Sequence, residues 1–223
     1  MTAEQLAQMI DHTLLKATAT NEMIENLCSE ALKYEFASVC VPPYYLNLVD
    51  RLISGNEKVK SCTVIGFPLG YEETTTKLFA LQQAIGAGAD ELDVVINVAA
   101  VKNGSWDYLE NELSLLAKLT KQSNKTLKII FETCYLSDEE IYKLAELCAY
   151  CGVHYVKTST GFGSGGASVH HIELMKKAVE GKCKIKASGG IRTWEDAKKM
   201  IDAGADRIGA SAGISILDEF KSA

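Results

Sequence analysis

Gly88-Ala-Asp-Glu-Leu-Asp-Val-Val-Ile-Asn97 decides how the rest of the chain is read. Its glycine follows a helical pattern and suits a helix C-terminus, where a left-handed residue closes the last turn. From Glu91 onward the chain alternates. Leu92, Val94 and Ile96 form one set, Asp93 and Asn97 the other. A period of two is a strand. The same turn recurs as Gly204-Ala-Asp206 ahead of Arg207–Ser211. One helix-to-strand turn used twice points to a repeating βα architecture.

Outward from that stretch, β-type runs fall at Ile10–Leu15, Phe36–Val41, Ser61–Phe67, Glu91–Val98, Leu127–Thr133, Tyr155–Thr160, Lys184–Ser188 and Arg207–Ser211. Helical patterns lie between them. Ser137-Asp-Glu-Glu140 and Thr193-Trp-Glu-Asp196 read as capping boxes that open two of these helices. Gly86, Gly88, Gly152 and Gly204 read as C-caps. Eight strands in 223 residues give roughly 28 residues per βα unit, the lower end for a TIM barrel. A doubly wound open sheet is the alternative. With no linker and no break, closure is favoured. The expected fold is α/β, a single-domain (β/α)8 barrel over residues 1–223.

Composition excludes several classes. At 47% hydrophobic and 23% charged, the chain has enough apolar surface to fold. No apolar run reaches the length of a membrane span. A net charge of −6 disfavours nucleic acid as a partner. Met1–Gln8 lacks a signal-peptide pattern. The seven cysteines are odd in number and scattered, which suits reduced thiols in a cytoplasmic protein. Cys148 and Cys151 form a C-x-x-C without a second pair at zinc spacing. They read as small residues near a helix end, with redox or metal work as the alternative.

In a barrel, alternate residues of each strand face the helices and the interior. Parity places Asp11, Thr13, Cys40, Asp93, Asn97, Lys128, Glu132, Lys157, Ser159, Lys186, Ser188 and Ser211 inside. Charged groups are almost never buried without partners or a task. They form either a set of neutralising ion pairs or an active site. The position of Lys157, Lys186 and Ser211 toward the C-terminal strand ends favours the second. Two lysines on neighbouring strands repel, and burial adds to the effect, so a neutral amine is favoured. Such an amine attacks carbonyls and forms a Schiff base. Asp93 can hold one lysine charged and relay protons. This chemistry requires no metal and no cofactor. His12 and His154 fall on the helix-facing parity, and His170 and His171 on a helix.

Two glycine-rich loops suit a phosphate. Gly189-Gly190-Ile191-Arg192 follows the seventh strand, and Gly209-Ala-Ser-Ala-Gly213 spans the end of the eighth. Each precedes a helix N-terminus. Plain tight turns are the alternative. Gly161-Phe-Gly-Ser-Gly-Gly166 matches G-x-G-x-x-G, but the following strand ends without the acidic residue a dinucleotide site needs. It reads as an active-site rim.

Ile10-Asp-His-Thr-Leu-Leu15, Cys62-Thr-Val-Ile-Gly-Phe-Pro68, Glu91-Leu-Asp-Val-Val-Ile-Asn97, Val156-Lys-Thr-Ser-Thr-Gly-Phe162 and Lys186-Ala-Ser-Gly-Gly-Ile-Arg192 together resemble the deoxyribose-phosphate aldolase family. The resemblance implies a class I aldolase that cleaves 2-deoxy-D-ribose 5-phosphate reversibly to D-glyceraldehyde 3-phosphate and acetaldehyde. It implies Lys157 as the Schiff-base lysine, Lys186 as its perturbing neighbour and Asp93 as the proton-relay partner. Asp11, Thr13 and Cys40 resemble pocket residues. Gly161, Gly189, Gly190, Arg192, Gly209 and Ser211 resemble a phosphate shell. The partners implied are the sugar phosphate, acetaldehyde and further copies of the chain, as a dimer or tetramer. Phe162 stands where some relatives carry a lysine, and Asp218–Ala223 lacks the tyrosine with which some relatives end. Two other functions stay open: an imine-forming aldolase for a different sugar phosphate, and a non-catalytic sugar-phosphate binder.

Overall fold

The computed structural model describes residues 1–222. Its eight strands are β1 (Ile10–Thr13), β2 (Ser38–Val41), β3 (Lys60–Ile65), β4 (Glu91–Val95), β5 (Thr126–Ile130), β6 (Tyr155–Lys157), β7 (Lys184–Ser188) and β8 (Arg207–Ala210). Each pairs in parallel with the next, and β8 returns to β1, so the sheet closes into a barrel in sequence order. Closure removes both sheet edges and rules out the open doubly wound alternative.

Ten helices surround it: α1 (Ala3–Ala7), α2 (Asn21–Tyr34), α3 (Leu46–Ile53), α4 (Thr74–Gly86), α5 (Val98–Lys102), α6 (Trp106–Gln122), α7 (Asp138–Tyr150), α8 (Val169–Val179), α9 (Trp194–Ala203) and α10 (Gly213–Ser222). Both expected capping boxes form, on Ser137 and on Thr193. Gly204 closes α9 in the left-handed region at φ +117°, and Gly88 follows α4 at φ +96°. Gly86 is a correction. It is the last helical residue of α4, and Ala87 takes the cap, so only one left-handed residue is needed there. Among the described residues no helix is long and apolar enough to cross a membrane.

The strand alternation fills two compartments. Leu92, Val94, Leu127, Ile129, Val156, Ile185 and Ile208 face outward and join the main core with the helices. Inside, Cys40, Cys62 and Val64 form a small apolar plug of their own. The remaining interior is charged. Strands stop earlier than their apolar pattern suggests. Asn97 leaves the ladder to cap α5, accepting from the Ala100 N–H at 3.1 Å. Glu132 turns the chain at φ +55°, two residues past β5. These early exits form the loops around the barrel mouth.

Candidate active site

Asp93 lies at the centre of the barrel interior. Its Oδ2 accepts from Lys157 Nζ at 2.7 Å and from Lys186 Nζ at 2.8 Å. Its Oδ1 accepts from Lys128 Nζ at 2.8 Å. Three ammonium groups thus converge on one carboxylate, brought there by register: Lys157 pairs with Lys186 across β6 and β7, and Asp93 with Lys128 across β4 and β5. Below this centre the network continues. Lys186 also ion-pairs with Asp11 Oδ2, without hydrogen-bond alignment. Arg207 reaches Asp11 at 2.6 Å and Glu91 at 3.3 Å, and Lys128 reaches Glu91 at 2.5 Å.

Burial alone would raise the Asp93 carboxyl, but Lys128, Lys157 and Lys186 outweigh it and hold the group well below the usual carboxylate range. Asp11 is held low against the same penalty by Arg207, Lys186 and Lys128. Lys186 is the lysine held charged. Burial pushes it down, yet Asp11 and Asp93 push it up further, so it is a fixed cation. Lys128 is fixed in the same way, burial being outweighed by Asp93 and its neighbours. Neutralising ion pairs are therefore present, and the candidate catalytic residues belong to the same network.

Above the network opens a cavity of about 380 Å³. Of the expected site residues, Thr13, Lys157, Gly161, Gly189, Gly190, Arg192, Gly209 and Ser211 line it. Lys157 is 3% exposed, whereas Lys186 and Asp93 are at 0%, so only the first meets a ligand in the cavity. Asp11 and Cys40 were expected to touch substrate but do not line the cavity. Asp11 lies beneath Lys186, and Cys40 is sealed against Cys62. A larger cavity of about 590 Å³ lies to one side, between Pro42, Ile65 and Ala84, and shares Leu15 with the first. It is mostly apolar and holds no lysine, so the chemistry belongs to the smaller one.

The glycine loops have separate duties. Gly190 has φ +81° and faces open space, and the N–H groups of Gly190 and Ile191 have no protein acceptor among the described residues. Free N–H groups ahead of a helix N-terminus suit an anion. At Gly209 a Cβ would stand 3.0 Å from Lys186 Cε, so this glycine makes room for the lysine stem. The run from Gly161 to Gly166 gains close packing from its glycines: a Cβ on Gly166 would lie 2.2 Å from the Gly189 carbonyl oxygen. Ala167 N–H also donates to that oxygen, at 3.0 Å. Buried Glu132 fixes the same loop from beneath, accepting from the Thr160 N–H and hydroxyl. At the rim Phe162 packs edge-on against Phe67, ring centres 5.2 Å apart.

Cys40, Cys62 and Asp93 bring their donor atoms within 4.8 Å of one another. Three ammonium groups already occupy the Asp93 oxygens, so a divalent cation there would meet lysine charge on every side. The cluster fits lysines rather than a metal. All seven cysteines are free. Cys148 is buried in α7 and raised by burial, and Cys151 caps the helix, as small residues near a helix end would be. His12 faces α2, where it pairs with Glu30 at 2.7 Å. Glu91 and Arg207 were missed as members of the site. The signal was present, because they share parity with Asp93 and Ser211.

With that geometry in place, the chain belongs to the DeoC/LacD family of aldolases, whose model matches residues 5–220. The similar proteins within that family carry one particular activity. The deoxyribose-phosphate aldolase of Caldanaerobacter subterraneus is 49% identical over 217 residues, covering 97% of this chain and 94% of the relative. That of Clostridium kluyveri is 50% identical over 220 residues, covering 98% of this chain and 100% of the relative. Among solved structures, the tetrameric deoxyribose phosphate aldolase of Aeropyrum pernix superposes with a TM-score of 0.91 at 36% identity, covering 99% of this chain and 93% of that one.

Proposed function

We propose that the chain is a class I aldolase that reversibly cleaves 2-deoxy-D-ribose 5-phosphate to D-glyceraldehyde 3-phosphate and acetaldehyde through an imine on Lys157. One observation carries this reading. A lysine reaches the floor of a glycine-walled cavity while Asp93, sealed beneath, holds its Nζ from below and accepts from Lys186 on the same oxygen. The names of the full-length relatives support the substrate.

In the cleavage direction, the neutral Lys157 amine adds to C1 of the open-chain aldehyde, and water leaves to give the iminium. A base takes the C3 hydroxyl proton. The C2–C3 electron pair flows toward the iminium, so glyceraldehyde 3-phosphate departs and an enamine remains. A proton then adds to C2, and water releases acetaldehyde and restores the amine. Asp93 is too well stabilised as an anion to be a strong base by itself. It orients Lys157, and water in the cavity moves the protons. The Gly190–Ile191 amides and Arg192 take the phosphate, remote from the bond that breaks.

The test is a product assay: 2-deoxyribose 5-phosphate should yield acetaldehyde and glyceraldehyde 3-phosphate in equal amounts. Turnover of a different sugar phosphate only, or tight binding without turnover, would overturn the assignment. A cytoplasmic homo-oligomer, dimer or tetramer, belongs to the same proposal, supported by the free thiols and the tetrameric relative.

A further inference from the structure

The ion-paired network inside the barrel does not balance its charge. Each strand contributes a group to it. Asp11 comes from β1, the thiols Cys40 and Cys62 from β2 and β3, and Glu91 and Asp93 from β4. Lys128 comes from β5, Tyr155 and Lys157 from β6, Lys186 from β7 and Arg207 from β8. At the rim, Lys16 and Arg192 line the cavity, and Glu132 is turned toward Thr160. With the thiols and phenol neutral, four basic groups face three carboxylates, Asp11, Glu91 and Asp93.

A surplus buried charge is costly, and release of one proton removes it. The partners decide which group releases it. Lys128 ion-pairs with Asp11, Glu91 and Asp93, and Lys186 with Asp11 and Asp93. Arg207 has Asp11 and Glu91, and a guanidinium does not deprotonate in proteins. Lys157 has Asp93 alone, shares it with two other ammonium groups, and is the only one of the four to line the cavity. It therefore has the fewest carboxylate partners of the four and is the one open to the cavity.

We infer that Arg207, outside the cavity and out of reach of substrate, is a positioning residue for the reaction: its permanent charge, set against Glu91, supplies the surplus that leaves Lys157 as a neutral amine. This rests on the reading of Lys157 as the imine-forming lysine. Arg207→Met leaves three cations on three carboxylates, so Lys157 keeps its proton to higher pH. Glu91→Gln enlarges the surplus, so Lys157 loses its proton at lower pH. The double variant restores a surplus of one, and Arg207→Lys preserves it.

The experiment is capture of acetaldehyde by the whole protein with cyanoborohydride between pH 5 and 9, the rate of adduct formation on Lys157 being followed by peptide mass spectrometry. The midpoint of the rate profile is expected to rise by on the order of one pH unit in Arg207→Met and to fall by a similar amount in Glu91→Gln. It should return in the double variant and stay in place in Arg207→Lys. A purely structural role would slow capture without opposed shifts. Midpoints that stay fixed, or move the same way in both single variants, overturn the inference while leaving Lys157 as the nucleophile. An adduct on another lysine in the unaltered protein overturns both readings. If Arg207→Met does not fold, the near-isosteric Glu91→Gln decides by itself.

Discussion

Gly190→Ala separates binding of the phosphate from the rest of the site. Gly190 sits at φ +81°, and a Cβ there would meet no atom within 4 Å. The protein cost is therefore backbone strain alone, about 1–2 kcal/mol. For a chain of this size that lowers Tm by roughly 2–8 °C. The catalytic cost is different. The new methyl stands on the open side of the loop, where an anion must approach the Gly190 and Ile191 amides. Losing one charge-assisted hydrogen bond removes about 1.5–3 kcal/mol, a fall of about 10- to 150-fold in kcat/KM. The assay compares 2-deoxyribose 5-phosphate with unphosphorylated 2-deoxyribose, whose slow turnover does not use the loop. The phosphorylated substrate should lose most, partly in kcat, because phosphate binding orients the carbonyl toward Lys157. Gly189→Ala is the control. Its Cβ would press on Gly166 Cα at 3.0 Å and Ser159 Cβ at 3.1 Å, so both substrates should suffer. Equal losses for both substrates in Gly190→Ala would refute the cradle.

Lys77 of α4 and Glu112 of α6 form a fully sealed ion pair at 2.9 Å, outside the barrel. Glu112→Ala should cost about 3–5 kcal/mol in denaturant unfolding, because a lysine is left buried without its partner. Lys77→Met with Glu112→Leu should recover most of that, and activity per folded molecule should not change. A cost below about 1 kcal/mol would show that the pair contributes little. Burial lowers His12 against the opposing hydrogen bond to Glu30. Its folded value thus lies below its unfolded value of about 6.5, and the unfolded chain binds the proton first as pH falls. Its stabilising effect is complete above about pH 6.5 and is lost as pH falls through the folded value. His12→Gln should flatten the stability profile below about pH 6.5, and an unchanged slope would count against it.

The barrel was legible because its strands obey a strict period of two and its helix ends carry glycines and capping boxes. The inward charges were legible for the same reason: Asp93, Lys157 and Lys186 interrupt apolar alternation. Glu91, Arg207 and the importance of Lys128 were harder to read. The first two are the opening residues of their strands, where a charge normally meets water, and only closure of the barrel brings them under Asp11. Parity did not show that Asp11, two strands away on β1, shares Lys186 with Asp93. The run from Gly161 to Gly166 mimicked a dinucleotide loop. Gly166 serves contact with Gly189, and Gly163 and Gly165 contact with Cys134, which no spacing rule reveals. Strand ends were overextended because residues such as Asn97 and Glu132 leave the ladder without any change in the apolar pattern.

The central claim is that the Lys157 amine forms the covalent bond to substrate. Borohydride added with acetaldehyde should fix an ethyl group on one lysine, and peptide mass spectrometry should place it on Lys157. Lys157→Ala should lose both the adduct and turnover. An adduct mapped to Lys186 or Lys16, or full turnover by Lys157→Ala, would contradict the account.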